Sequence, residues 1–105
     1  MIDGVSQSTG VERLVEIEAD KANVRLSIRE RGGDTDLAFV VIPVESLMTV
    51  LTDQPKGPQS IPGSDGRVLA VEVCRNEVLL AVGSPDAAVG LDDLMDALAG
   101  ALPAA

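Results

Sequence analysis

Histidine, tryptophan and tyrosine are absent from this 105-residue chain, and phenylalanine occurs once, at Phe39. Each absence excludes something. Acid–base chemistry near neutral pH most often uses histidine, so that route is closed. A nucleophilic cysteine needs an activating base, and the single cysteine, Cys74, has no histidine to serve it. One cysteine also rules out an intrachain disulfide, which fits a reducing cytoplasm. Zinc sites of Cys and His spacing cannot form. Sugar-binding and base-stacking platforms, which use aromatic faces, lack their material. No Gly-x-Ser-x-Gly elbow occurs. The expectation is a chain without catalytic residues, cofactor or metal.

Positive charge is also scarce. Eight Lys and Arg stand against seventeen Asp and Glu, for a net charge of −9. The bases do not cluster, as phosphate binding would require, so nucleic acid is excluded as a partner. An acidic surface keeps a protein in solution or meets a basic partner. No apolar run reaches the roughly 18 residues of a membrane span. The segment Met1–Gly4 has no basic start or apolar stretch of a signal peptide. A cytoplasmic location is expected.

What the chain does have is aliphatic bulk, with 46% apolar residues. Its length suits one domain with a thin core. Residues 1–10, rich in Gly, Ser and Thr, are expected to be a flexible N-terminus, and 11–103 one α+β domain. Over 12–19, Val15, Ile17 and Ala19 alternate with Glu16 and Glu18, the period of a half-buried strand. Over 23–31, Val24, Leu26 and Ile28 alternate with Arg25, Ser27 and Arg29. A two-residue turn at Lys21-Ala22 pairs Ala19 with Val24, Ile17 with Leu26 and Val15 with Ile28, and sets Glu18 opposite Arg25. A slip of one residue would lose that agreement. Gly32-Gly33 suits the next hairpin turn. Centred there, it pairs Ile28 with Leu37, Leu26 with Phe39 and Val24 with Val41, and sets Arg31 against Asp34 and Arg29 against Asp36.

Pro43 closes that strand and can open a helix. Val44, Leu47, Met48 and Leu51 then form one helical stripe. Residues 53–66 hold three Pro and three Gly and are expected to be a mobile loop. A second hairpin, 67–74 and 77–83, turns at Arg75-Asn76 and pairs Val73 with Val78, Val71 with Leu80 and Leu69 with Val82. A short strand at 86–89 precedes a last helix over 91–102, with its stripe at Leu91, Leu94, Met95 and Leu98. Asp86, Asp92, Asp93 and Asp96 match no calcium loop and read as the solvated side of that helix. Gly63 to Arg67 leads into a strand and lacks the Lys-Ser/Thr of a phosphate loop. The order is β-β-β-α-loop-β-β-(β)-α: a mostly antiparallel, curved sheet with two helices packed on one face. The helices share a similar pattern at a spacing of 47 residues, which raises a degenerate duplication.

The layout of "FVVIPVESLMTVL", the Pro/Gly loop ending in "GSDGRV", and "VLLAVGSPDAAVGLDDLMDAL" resembles that of the SsgA-like regulators of actinomycete sporulation and cell division. The resemblance spans residues ~23–102. It implies a small non-enzymatic protein with a curved, whirly-like sheet that oligomerises and helps position the division machinery. The chain lacks the family's aromatics, and the resemblance transfers no residue as a site.

The second sheet side is the informative one. With the registers above, Ala38, Val40, Ile42, Val68, Ala70, Leu79 and Ala81 share it, beside Cys74, which reads as an inert thiol. Exposed aliphatic patches usually mark interaction sites. The alternative is a sheet that curls and buries both sides. The functional expectation is a non-catalytic interaction or regulatory domain, homo-oligomeric through this side or bound to another protein. An acidic inhibitor of a basic surface is the second reading. A small-molecule binder using the curved sheet and loop 53–66 is the third.

Overall fold

A computed structural model describes residues 2–7, 9–33, 35–64, 66–83 and 85–101. The strands are β1 (Ile2–Val5), β2 (Glu12–Asp20), β3 (Asn23–Glu30), β4 (Asp36–Pro43), β5 (Gln59–Pro62), β6 (Val68–Cys74), β7 (Glu77–Val82) and β8 (Asp86–Gly90); the helices are α1 (Val44–Asp53) and α2 (Leu91–Ala101). They make one antiparallel sheet of order β4-β3-β2-β1-β8-β7-β6-β5. The sheet curves until its two edges approach, as a nearly closed barrel. The α+β class and the curved antiparallel sheet are therefore as expected.

Both two-residue hairpins have the expected register. Val15 faces Ile28, Ile17 faces Leu26 and Glu18 faces Arg25. Leu69 faces Val82, Val71 faces Leu80 and Val73 faces Val78. Lys21 and Arg75, which open the two turns, have φ of 57° and 58°. Tight hairpins favour positive φ there because it matches the twist of the strands.

Two expectations are corrected at the N-terminal end and in the loop. Residues 2–5, expected to be flexible, are β1, which lies between β2 and β8 in the middle of the sheet. Ile2 is buried opposite Val15. The 53–66 segment, expected to be a loop throughout, contains β5, and Ile61 is buried in the core.

The β3–β4 register is the third correction. Ile28 faces Ala38, Leu26 faces Val40 and Val24 faces Ile42, while Arg29 still faces Asp36. A bulge between Ile28 and Arg29 absorbs Leu37 as an extra residue. The bulge turns β4 over: Val40 and Ile42 enter the core at 0% exposure. The expected pairing of Arg31 with Asp34 falls on a position outside the described residues.

The core is aliphatic. Val24, Leu26, Ile28, Val40, Leu69, Val71, Val78 and Leu80 from the strands join Leu47, Leu51, Leu94 and Leu98 from the helices in one cluster. Pro43 caps α1 in an extended conformation, and Gln54 ends it in the left-handed region with its N–H on Val50 O. The start of each helix is tied to a hairpin turn. Val44 N–H donates to Ala22 O at 3.1 Å, and Leu91 N–H donates to Asn76 O at 2.7 Å.

Candidate interaction surface at the open seam

Alternation decides which side chains face outward. Since Leu69, Val71, Val78 and Leu80 are buried, Val68, Ala70, Leu79 and Ala81 lie on the outer side. Val68 is 48% exposed, and Ala70, Leu79 and Ala81 are half-buried. These four residues stand where the sequence put them. Ala38, Val40 and Ile42 do not: Ala38 packs against the core and the other two are inside it. In their place the bulge brings Leu37, Phe39 and Val41 outward. Leu37 is 42% exposed, and the other two are half-buried. The outer side of β4 is therefore apolar, as expected, but with the opposite set of residues.

Between the start of β4 and the starts of β6 and the β7–β8 turn lies a cleft of about 610 Å³. Leu37 and Phe39 form one lip, Arg67 and Val68 the other, with Ala38, Val82 and Pro85 also lining it. Here the sheet fails to close by strand pairing. The carbonyls of Phe39 and Val41 instead accept from the segment before β6: Arg67 Nη1 donates to Phe39 O at 2.9 Å and Ser64 N–H to Val41 O at 2.9 Å. Arg25 and Arg67 place their Cζ atoms 4.4 and 4.1 Å from the Phe39 ring centre, within cation–π range. A smaller groove of about 180 Å³ runs over Ala70, Leu79 and Ala81, between Gln7 and Pro58.

The outer side of β2 and β3 is charged. Asp36 is shared by Arg29 (2.8 Å) and Arg25 (3.2 Å), and Arg29 also holds Glu16 at 2.9 Å. Arg25 stands 4.0 Å from Glu18, the cross-strand pair expected from register. Cys74 is a free, exposed thiol beside the second turn. Among the described residues no group of His, Cys, Asp and Glu has the geometry of a metal site. No helix there is long and apolar enough to cross a membrane. The chain matches no family model, no curated protein and no solved structure.

Sequence reasoning missed Leu37 and Phe39 as surface residues. Every residue from Leu37 to Ile42 is apolar, so alternation carries no signal of which set turns outward. The only cue was the lone aromatic near Arg25, and it becomes a cue only once both are known to share a side.

Proposed function

We propose that the chain is a non-catalytic interaction domain that pairs with a second copy of itself through the outer side of β4, β6 and β7. One observation carries the reading: Leu37 and Val68, at 42% and 48% exposure, face each other across an open seam. Half-buried Phe39, Val41, Ala70, Leu79 and Ala81 extend the apolar area on both sides. In this reading both helices cover the inner side and leave the outer one to the partner. A two-fold pair sets a patch against itself, so an apolar patch on a chain of net charge −9 lets two copies meet where their charges do not. The layout shared with SsgA-like regulators supports a regulatory, cytoplasmic role without a cofactor.

Sedimentation tests it. The native chain is expected to run as a dimer and Val68→Glu as a monomer with an unchanged circular dichroism spectrum. A native chain that stays monomeric up to millimolar concentration overturns the proposal.

The size of the cleft favours one second reading. At about 610 Å³ it falls within the roughly 300–1,000 Å³ of small-molecule sites; its one carboxylate, Asp36, is offset by Arg25 and Arg29, and the largely apolar remainder with Arg67 on one lip suits an apolar acid. Such a ligand would raise the melting temperature of the native monomer and lose that effect in Arg67→Ala.

A further inference from the structure

Among the described residues, Arg13 is the one strand arginine that forms no ion pair. It lies on the inner side of β2, two residues before the buried Val15, and is 9% exposed. Its Nε and Nη1 are buried and meet no acceptor among the described residues. By contrast, Arg25, Arg29 and Arg31 are each answered by carboxylates on the outer side. The register partners of Arg13 are Gly4 on β1 and Glu30 on β3. Gly4 brings no side chain, and β8 presses against it so closely that a Cβ would meet Ala88 O at 2.7 Å. Glu30 is exposed and takes part in none of the ion pairs among the described residues.

A guanidinium stays charged at any physiological pH, so burial cannot be relieved by losing a proton. A buried charge without a counter-charge is costly. An aliphatic residue at position 13 would simply continue the stripe of Val15 and Ile17. Arg13 is the second residue of β2, next to exposed Glu12, so it stands near the end of the strand, and it keeps 9% of its surface exposed.

We infer that Arg13 anchors a site for a small oxyanion, a carboxylate or phosphate group, at the end of the sheet where β2 begins. The guanidinium recognises such groups through short, charge-assisted hydrogen bonds. The anion supplies the acceptors that the described residues do not, and returns the cost of burying the cation.

The test is a titration of the native chain, with arginine side chains labelled with nitrogen-15, in low-salt buffer. Inorganic phosphate, acetate and chloride are added separately. The Arg13 Nε–H resonance, identified by its loss in Arg13→Lys, is expected to move to a saturating value with phosphate or acetate and not with chloride. Acetate alone would identify a carboxylate ligand, phosphate alone a phosphorylated one. The melting temperature should rise with the same anion. Arg13→Met should lose that rise while melting no lower than the native chain in anion-free buffer. If Arg13→Met fails to fold, the native titration still decides. A resonance that follows all three salts alike overturns the inference. So does one that shifts on Glu30→Gln in anion-free buffer, because Glu30 would then be the counter-ion.

Discussion

The two halves of the chain, β1–β4 with α1 and β5–β8 with α2, are built alike and closed differently. Each is a four-strand meander followed by a helix, and the helices begin at Val44 and Leu91, 47 residues apart. Each has a hairpin opened by a basic residue of positive φ, and each ties its helix start to the carbonyl of that turn. Two amphipathic helices can share a pattern by accident. A shared backbone bond from helix to hairpin is a more demanding coincidence, and it favours a duplicated ββββα unit. The difference lies at the seams. Where the halves meet at β1 and β8, Val5 pairs with Ala88, and Asp86 accepts from Ser6 Oγ at 2.6 Å and Gln7 N–H at 3.0 Å. At the other seam β5 pairs with β6 alone, and among the described residues no strand pairs with the outer edge of β4, whose Phe39 and Val41 carbonyls accept from Arg67 Nη1 and Ser64 N–H instead. The equivalence of the halves thus fails in one place, and that place holds the exposed Leu37, Val68 and the cleft.

The largest effect tests the likeness. Leu47 and Leu94 are both fully buried on the helix stripes. Leu47→Ala and Leu94→Ala should each cost about 2–5 kcal/mol in urea denaturation. A near-zero loss in one alone would show that its half lacks an equivalent core. Next comes the closed seam. Gly4→Ala puts a Cβ against Ala88 O at 2.7 Å and Val89 Cγ1 at 2.9 Å, so β1 and β8 must separate. About 1–3 kcal/mol is expected, with early hydrogen exchange confined to β1 and β8. The smallest effect concerns the charged outer side of the first half. Asp36→Asn removes the carboxylate shared by Arg25 and Arg29. All three are partly exposed, so solvent screening limits the loss to about 1 kcal/mol, shrinking as salt is added. A loss that salt leaves unchanged would mean that Asp36 acts by packing.

Much of this fold is legible in the sequence where polar residues alternate with apolar ones. Glu16, Glu18, Arg25 and Arg29 mark one side of the first hairpin, so its register follows from the pattern. The helix stripes at Leu47 and Leu94 follow in the same way. The β4 register does not, because an apolar run from Leu37 to Ile42 buries an apolar set in either register. What selects the observed one is tertiary: Phe39 outside meets Arg25 and Arg67, and Ile42 inside fills the core. The strands β1 and β5 have four residues each, too few for a period, and sit in stretches whose Gly, Ser and Pro content argues for loops. The outer β6–β7 part of the candidate surface was legible; its β4 part was legible as apolar but assigned to the wrong residues.

The pairing of β1 with β8 also orders events during synthesis. Of the eight strands of the sheet, β1 is made first and β8 last, yet the two are neighbours. At ribosomal rates the outer edge of β1 stands open for roughly 4–17 s while the intervening chain is added. An open edge is a template for stray pairing, and β4 offers a second one over part of the same interval. Only four residues are exposed in this way on β1, with Gly4 among them, and a short, glycine-bearing strand is a poor template. The brevity that hid β1 from pattern reading is thus the property that lets the nascent chain wait safely for its closing strand.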